Sequence, residues 1–309
     1  MVNFIILFLI CVFLNFFYYF LLKLKNYDEK KGIGFFITLV PLLYFYLGGN
    51  YLNNDIYYIF FTIFIFSALY LYDDLFNLGV ILRLVIQFIS GFLIIYFNFY
   101  TAELNYQIII FFIIFGFWNV FLTNVINFND GNDGNLGFLI LSYSICFLFY
   151  NFQNYYFEIN LGIIIFILTF LFFNFSFKKF YFGDAGCLAF TLIYNQFLIN
   201  EIFINKNFEY IIFIIPLIYL FIDVFYVIIY RIINSENLLS RNYLHFYQKL
   251  YIKYKSFYYL LPNIVLPLVI IFFNNLLIKY LPINYFFLIL FNFITLLILY
   301  FFLKHKLKL

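Results

Sequence analysis

Long, uninterrupted apolar runs constrain this chain more than any other feature. About eleven stretches, near 2–22, 33–49, 55–72, 80–98, 105–123, 136–152, 158–176, 185–202, 208–232, 256–279 and 283–303, approach the roughly 20 residues a helix needs to cross a bilayer. Inside lipid every backbone N–H and C=O must be paired within the protein, so runs of this length are helices. A β-barrel would be written in short alternating segments, and none is present. The expected fold class is all-α, a polytopic transmembrane bundle of about 10–11 helices. It forms a single membrane domain over residues 1–309. The run at 136–152 is short and has the weakest claim to span.

Composition agrees. Hydrophobic residues make up 67% of the chain and charged residues 10%, whereas soluble domains carry about a quarter charged. The aromatic share of 28% reads mainly as lipid-facing and packing side chains. A net charge of +3, with no basic tract interleaved with aromatics, argues against nucleic acid as a partner. Cys11, Cys146 and Cys187 have no CxxC spacing, which supports neither a disulfide nor a metal site. The first apolar run has its lysines after it rather than before it and lacks a small-residue cleavage site, so it reads as a retained anchor.

Basic residues set the expected orientation. Loops odd in number from the first run, with the adjoining helix ends and the tail, hold fifteen of the Lys and Arg residues, and the even side holds only Lys206 and Lys279. By the positive-inside rule the N-terminus lies outside and the odd loops and C-terminus are cytoplasmic. Nine of the fourteen acidic residues fall on that same side, in Gly-flanked clusters. The chemistry is therefore expected at the cytoplasmic surface, in loops near 73–79, 124–135, 178–186 and 232–255.

Each of these loops has a bland reading beside the functional one. Asp73-Asp74 at a helix end, followed by Arg83, is costly in a membrane unless it meets water or a cation, and a solvated terminus is the plain alternative. Asn124, Asn127 and Asp130 are three apart and share one face of a helical end, ahead of Gly131, Asp133 and Gly134. An ordinary polar turn competes there, while a calcium loop lacks its alternating ligands and closing Glu. Gly183-Asp184-Ala185-Gly186 opens a helix after Lys178-Lys179. An N-cap Asp explains it simply; a divalent ion, with phosphate at the helix N-terminus, is the functional reading. Asp223 and Arg231 precede a loop with Arg241, His245 and Gln248, where Tyr243, Tyr247, Leu250 and Tyr254 recur at the spacing of a helix lying in the headgroup layer.

Taken together, Asp73-Asp74 with Arg83, the Asn124…Asn127…Asp130-Gly131…Asp133-Gly134 block, Phe182-Gly183-Asp184-Ala185-Gly186, Pro216…Asp223…Arg231 and His245-Phe246-Tyr247-Gln248 resemble the polyprenyl-phosphate N-acetylhexosamine-1-phosphate transferases, of glycosyltransferase family 4 type. The His-x-Tyr-Gln ending is closer to the O-antigen and lipopolysaccharide-initiating branch than to the phospho-N-acetylmuramoyl-pentapeptide transferases of peptidoglycan synthesis, which show three consecutive histidines. The family's Pro-, Arg- and Gly-rich stretch after the first helix is reduced here to Lys30-Lys31-Gly32-Ile33-Gly34, and Cys187 stands where Ser is common.

The resemblance implies a phosphotransferase that moves a sugar-1-phosphate from a UDP-sugar to undecaprenyl phosphate and releases UMP. That reaction is the first membrane step of a cell-surface glycan, in the bacterial inner membrane. It implies Mg²⁺, with Mn²⁺ as a substitute, held by Asp184 with Asp74. Asp73, Asp74, Asp184 and His245 are the implied catalytic group, Asp73 positioning the lipid phosphate. Asn124, Asn127, Asp130, Asp133, Lys178, Lys179 and Arg241 are the implied substrate-binding group. A homodimer is compatible with it. Two alternatives stand beside this reading: the peptidoglycan enzyme, and a transporter, which would place acids mid-helix and show repeat symmetry.

Overall fold

The computed structural model describes residues 2–26, 30–48, 54–76, 78–99, 105–149, 154–177, 180–237, 243–281 and 284–308. The described residues are helical, and their one β feature is an isolated parallel bridge between Lys30 and Phe180. Among the described residues nine helices are long and apolar enough to cross a membrane, with two shorter apolar helices at Ile33–Leu43 and Asn135–Leu148. The all-α membrane bundle read from hydropathy is thus the architecture found. The chain packs as two compact units, Met1–Ile204 and Asn205–Leu309.

The first unit contains α1 (Val2–Leu24), α2 (Leu39–Gly48), α3 (Asn54–Phe76), α4 (Val80–Asn98), α5 (Tyr106–Asn127), α6 (Asn135–Leu148), α7 (Asn154–Ser176) and α8 (Gly183–Leu198). Helix α8 is its axis: 89% of the span from Gly183 is buried, against 28% for α4. It packs on α3, on α5 and on the segment before α2. A helix buried on all sides carries small residues where backbones meet. A methyl added at Gly34 would fall 2.5 Å from the Gly186 Cα, so that crossing closes only on two glycines.

Amides tie α8 to α5 and α4 within the apolar interior. Asn195 donates to Asn119 Oδ1 at 2.9 Å and accepts from the Trp118 indole N–H at 3.0 Å. Asn119 in turn donates to the Gln87 carbonyl at 2.7 Å and to Ser90 Oγ at 3.2 Å. Each buried amide has its partners, which is the condition for polar groups at membrane depth.

The second unit holds α9 (Leu217–Ile233), α10 (Phe246–Tyr254), α11 (Leu261–Tyr280) and α12 (Tyr285–Lys306). Asn274 on α11 and Asn292 on α12 exchange amide hydrogen bonds at 3.1 and 2.7 Å, and each also donates to a carbonyl four residues back in its own helix. Helix α10 occupies the place where the Tyr/Lys pattern indicated a short amphipathic helix.

Three expected runs are less regular than a single α-helix. The run at 33–49 opens as a 3-10 turn, Ile33–Thr38, because Gly32 at φ 94° and the Gly34–Gly186 approach draw this backbone onto the start of α8. The run at 185–202 ends in a π-helical turn, Ile199–Ile204. The run at 208–232 is 3-10 over Phe208–Phe213, and α9 proper starts only after Pro216. Proline has no N–H to offer and clashes with the preceding turn, so it starts a helix rather than continuing one.

Candidate functional site

In the first unit the ends of α3 and α5 and the start of α8 meet. The segment 30–34 runs beside 180–182: Tyr181 donates its N–H to the Lys30 carbonyl at 2.8 Å, and Gly34 donates to the Phe182 carbonyl at 2.9 Å. Tyr18 fixes the same segment through its hydroxyl, which donates to the Lys31 carbonyl at 2.6 Å. This pairing presents the first amides of α8 to two aspartates. Asp130 accepts from Gly183 N at 2.7 Å and more weakly from Phe182 N at 3.4 Å. Asp74 accepts from Asp184 N and Ala185 N, both at 3.0 Å, one on each carboxylate oxygen.

Those four bonds correct one expectation. The N-terminus of α8 was read as a seat for phosphate, but the protein's own carboxylates already occupy its N–H groups. A helix start attracts negative charge whatever its source, and here Asp74 and Asp130 supply it. Gly183 makes the turn: its φ of 84° is one that L side chains rarely adopt.

Asp184 projects from this turn and pairs with Arg83, its Oδ2 lying 3.1 Å from the guanidinium Nη1. The same nitrogen is 3.7 Å from Asp73 Oδ2. Asp73 is buried, and its other oxygen accepts from Leu78 N at 2.5 Å. Arg83 therefore places one positive charge between two carboxylates. Burial pushes the Asp130 carboxyl up to about 7, an effect opposed by the Gly183 and Phe182 amides, reinforced by the Asp184 carboxylate and eased by Lys31. Four carboxylates thus share one small region with few cations.

The remaining sequence candidates divide as follows. Asn124 donates to Gln87 Oε1 at 2.8 Å and to the Val120 carbonyl at 2.7 Å. Asn127 Oδ1 accepts from the Cys187 thiol at 3.6 Å, which joins α5 to α8. Asp133 lies half-buried in the turn before α6, whose first residue Asn135 donates to the Asn129 carbonyl at 3.1 Å. Lys178, Lys179 and Arg241 lie outside the described residues. Sequence reasoning assigned no part to Gln87, Tyr70 or Lys31. A lone amide, phenol or lysine carries no signal of its partner, although Gln87 in the middle of an apolar run is the sort of residue that needs one.

The second unit has its own polar cluster. Asp223 Oδ2 lies 2.8 Å from His245 Nδ1, and Asp223 Oδ1 accepts from Phe246 N at 2.9 Å and from the Tyr300 hydroxyl at 2.8 Å. All three residues are buried. His245 also caps α10, its N–H reaching Gln248 Oε1 at 3.3 Å. Arg231, at the end of α9, pairs with Glu236 at 3.4 Å. Asp223 and His245 are thus in direct contact, and Tyr300, 77 positions from Asp223, completes the cluster.

Among the described residues no three His, Cys, Asp or Glu side chains form a ready metal cage. The donor set still fits a Mg²⁺ of another kind, one held by one or two carboxylates with substrate phosphates and water completing its shell. Asp184 and Asp73 lie 3.1 and 3.7 Å from the Arg83 guanidinium, Asp74 and Asp130 stand on the amides at the start of α8, and these carboxylates outnumber the neighbouring positive charges.

Residues 56–202 match the family model described as Glycosyl transferase family 4, a stretch that contains Asp73, Asp74, Asn124, Asn127, Asp130, Asp133 and Asp184. No curated protein matches the chain. The family match supports a place for this protein in the glycosyltransferase family 4 superfamily of membrane transferases, and it indicates activity of the polyprenyl-phosphate sugar-1-phosphate transferase kind.

Proposed function

We propose that the protein transfers a sugar-1-phosphate, N-acetylhexosamine-1-phosphate being the expected group, from a UDP-sugar to undecaprenyl phosphate with release of UMP. The reaction takes place at the cytoplasmic face of a bacterial plasma membrane and starts a cell-surface glycan. One observation carries this reading: Asp73, Asp74, Asp130 and Asp184, from three different helix ends, gather around the first turn of α8 beside Arg83. Carboxylates gathered at the ends of membrane helices are expensive unless cationic or phosphorylated reactants use them.

The chemistry asks little covalent help from the protein. A lipid phosphate oxygen attacks the sugar-bearing phosphorus of the nucleotide; that P–O bond forms as the bond to UMP breaks. A phosphomonoester has its second pKa near about 6, so at neutral pH the nucleophile is already mostly ionised. What remains is positioning and charge stabilisation. Mg²⁺ held by Asp184 with Asp74 would supply charge neutralisation to the two phosphorylated reactants, while Asp73 positions the lipid phosphate. Arg83 holds Asp184 and Asp73 in place and adds a fixed positive charge. Asp74 and Asp130 fix the backbone that carries Asp184. In the second unit the His245 ring is held by Asp223, with Nδ1 2.8 Å from Oδ2.

The test uses membranes containing the protein, a panel of radiolabelled UDP-sugars, undecaprenyl phosphate and Mg²⁺, followed by lipid extraction. Label should enter the lipid with at least one UDP-N-acetylhexosamine. Asp184→Asn should lower it by at least about 100-fold, in the range seen when a charge-stabilising group is removed. Absence of labelled lipid with every sugar, or full activity in Asp184→Asn, would refute the reading.

A further inference from the structure

Asn124 is half-buried on the last turn of α5, and its hydrogen bonds fix which end of its amide is left open. The fixing begins at a backbone carbonyl. The Tyr70 hydroxyl donates to the Arg83 carbonyl at 2.7 Å, and a carbonyl can only accept. The Tyr70 oxygen is then left with only lone pairs to offer the neighbouring Gln87 side chain. That contact spends the Gln87 N–H and turns Gln87 Oε1 toward Asn124, whose Nδ2 donates to it at 2.8 Å. A second carbonyl, Val120 O, takes the other Asn124 N–H at 2.7 Å. Both donors of Asn124 are therefore consumed inside the protein, and among the described residues no donor reaches its Oδ1. An amide on its own can flip; this one is held by two carbonyl anchors.

We infer that Gln87 and Tyr70 are positioning residues that fix Asn124 as a pure acceptor, and that its Oδ1 receives an O–H or N–H of the sugar nucleotide. The partner is not a phosphate oxygen, which would bring two acceptors together. The inference rests on the proposed transferase reading and adds a specificity contact to it. A site built to accept from a substrate O–H or N–H rejects the analogue lacking that group strongly, because the buried acceptor is then left unpaired.

The experiment measures KM and kcat for the preferred UDP-sugar at saturating Mg²⁺, with Kd for the same nucleotide sugar measured in nanodiscs. Gln87→Leu, which touches no substrate, should raise KM and Kd about tenfold, the lower end of what losing an orienting partner costs, with kcat within about threefold. Gln87→Glu keeps an oxygen toward Asn124 but gives up the N–H that faces Tyr70, so its KM should lie between that of Gln87→Leu and the parent. Tyr70→Phe, which releases only the anchor, should fall between them. Unchanged KM and Kd in Gln87→Leu would overturn the proposal. So would an effect confined to the Mg²⁺ concentration required, which would assign the oxygen to the cation. Failure of the parent protein to label lipid would instead overturn the transferase reading, and the Kd series would still decide the role of Asn124; absence of any nucleotide-sugar binding would overturn both.

Discussion

Gly183 and Gly79 border the same carboxylate cluster, yet an added methyl should have opposite consequences at the two. At Gly183 the backbone sits at φ 84°, and a Cβ there would lie 2.3 Å from Gly32 N and 2.7 Å from both Gly32 Cα and Asp74 Oδ2. The left-handed conformation alone costs an L residue about 1–2 kcal/mol. The clash is with backbone, so no rotamer relieves it. Segment 30–34 must move off 180–182, which puts the bonds Tyr181 N to Lys30 O and Gly34 N to Phe182 O at risk. At about 1 kcal/mol net for each bond, the total loss for Gly183→Ala is on the order of 3–4 kcal/mol. At Gly79 φ is −64° and nothing lies within 4 Å of the added atom, so Gly79→Ala should stay within about 1 kcal/mol of the parent, the residual being the poorer N-cap. Thermal unfolding of purified protein in detergent micelles measures both. Gly183→Ala should melt about 5–10 °C lower and Gly79→Ala within about 3 °C. Activity of the still-folded Gly183→Ala fraction should fall about 100-fold, since a shift of an ångström in Asp184 is enough for that. A Gly183→Ala protein that melts and works like the parent would show that the turn does not set the position of the aspartates.

Three further outcomes follow from the same geometry. Because burial holds the Asp130 carboxyl near about 7, above its ordinary value, the folded protein binds that proton more tightly than the unfolded chain. The associated stability is present in full below the ordinary carboxylate range and is lost as pH rises through about 7. Chelator-treated protein should therefore melt higher at pH 5.5 than at pH 8, and Asp130→Asn should flatten the difference, as differential scanning fluorimetry would reveal. In the second unit, Asp223→Asn removes the charge and turns one of the two acceptor oxygens into an N–H donor, so His245, Phe246 N and Tyr300 are no longer all served by it. It should cost about 3 kcal/mol, and Tyr300→Phe about 1–2 kcal/mol, in denaturant titrations; equal effects would contradict the three-donor arrangement. Asn119→Leu, which strands the Asn195 Nδ2 donor in the apolar interior, should destabilise by about 2 kcal/mol more than Asn98→Leu at the half-exposed end of α4, measured by the same titration.

Hydropathy made the spans legible because the bilayer imposes one length and one secondary structure. The acidic loops were legible because adjacent carboxylates at a helix end demand a reason. What stayed hidden was pairing. Asp74 and Asp184 look equivalent in sequence, yet one has both oxygens on backbone amides and the other meets Arg83. Tyr70 and Tyr300 are two among 32 tyrosines, and nothing local separates them from those that only pack. The 3-10 start at Ile33 depends on Gly186, some 150 positions away, and local propensity has no access to that contact. The break before α9 was readable, since Pro216 stands in the middle of the run.

The reciprocal amide pair between α11 and α12 bears on how the end of the chain enters the bilayer. Asn274 and Asn292 sit deep in two consecutive apolar segments, and each satisfies half of its side chain only through the other. A polypeptide stopped in the short connection after Tyr280 would carry an amide into hydrocarbon with no counterpart to meet it. The two segments should therefore partition as a hairpin rather than one by one, and trimming the chain from its C-terminus should fail abruptly once Asn292 is lost rather than by degrees.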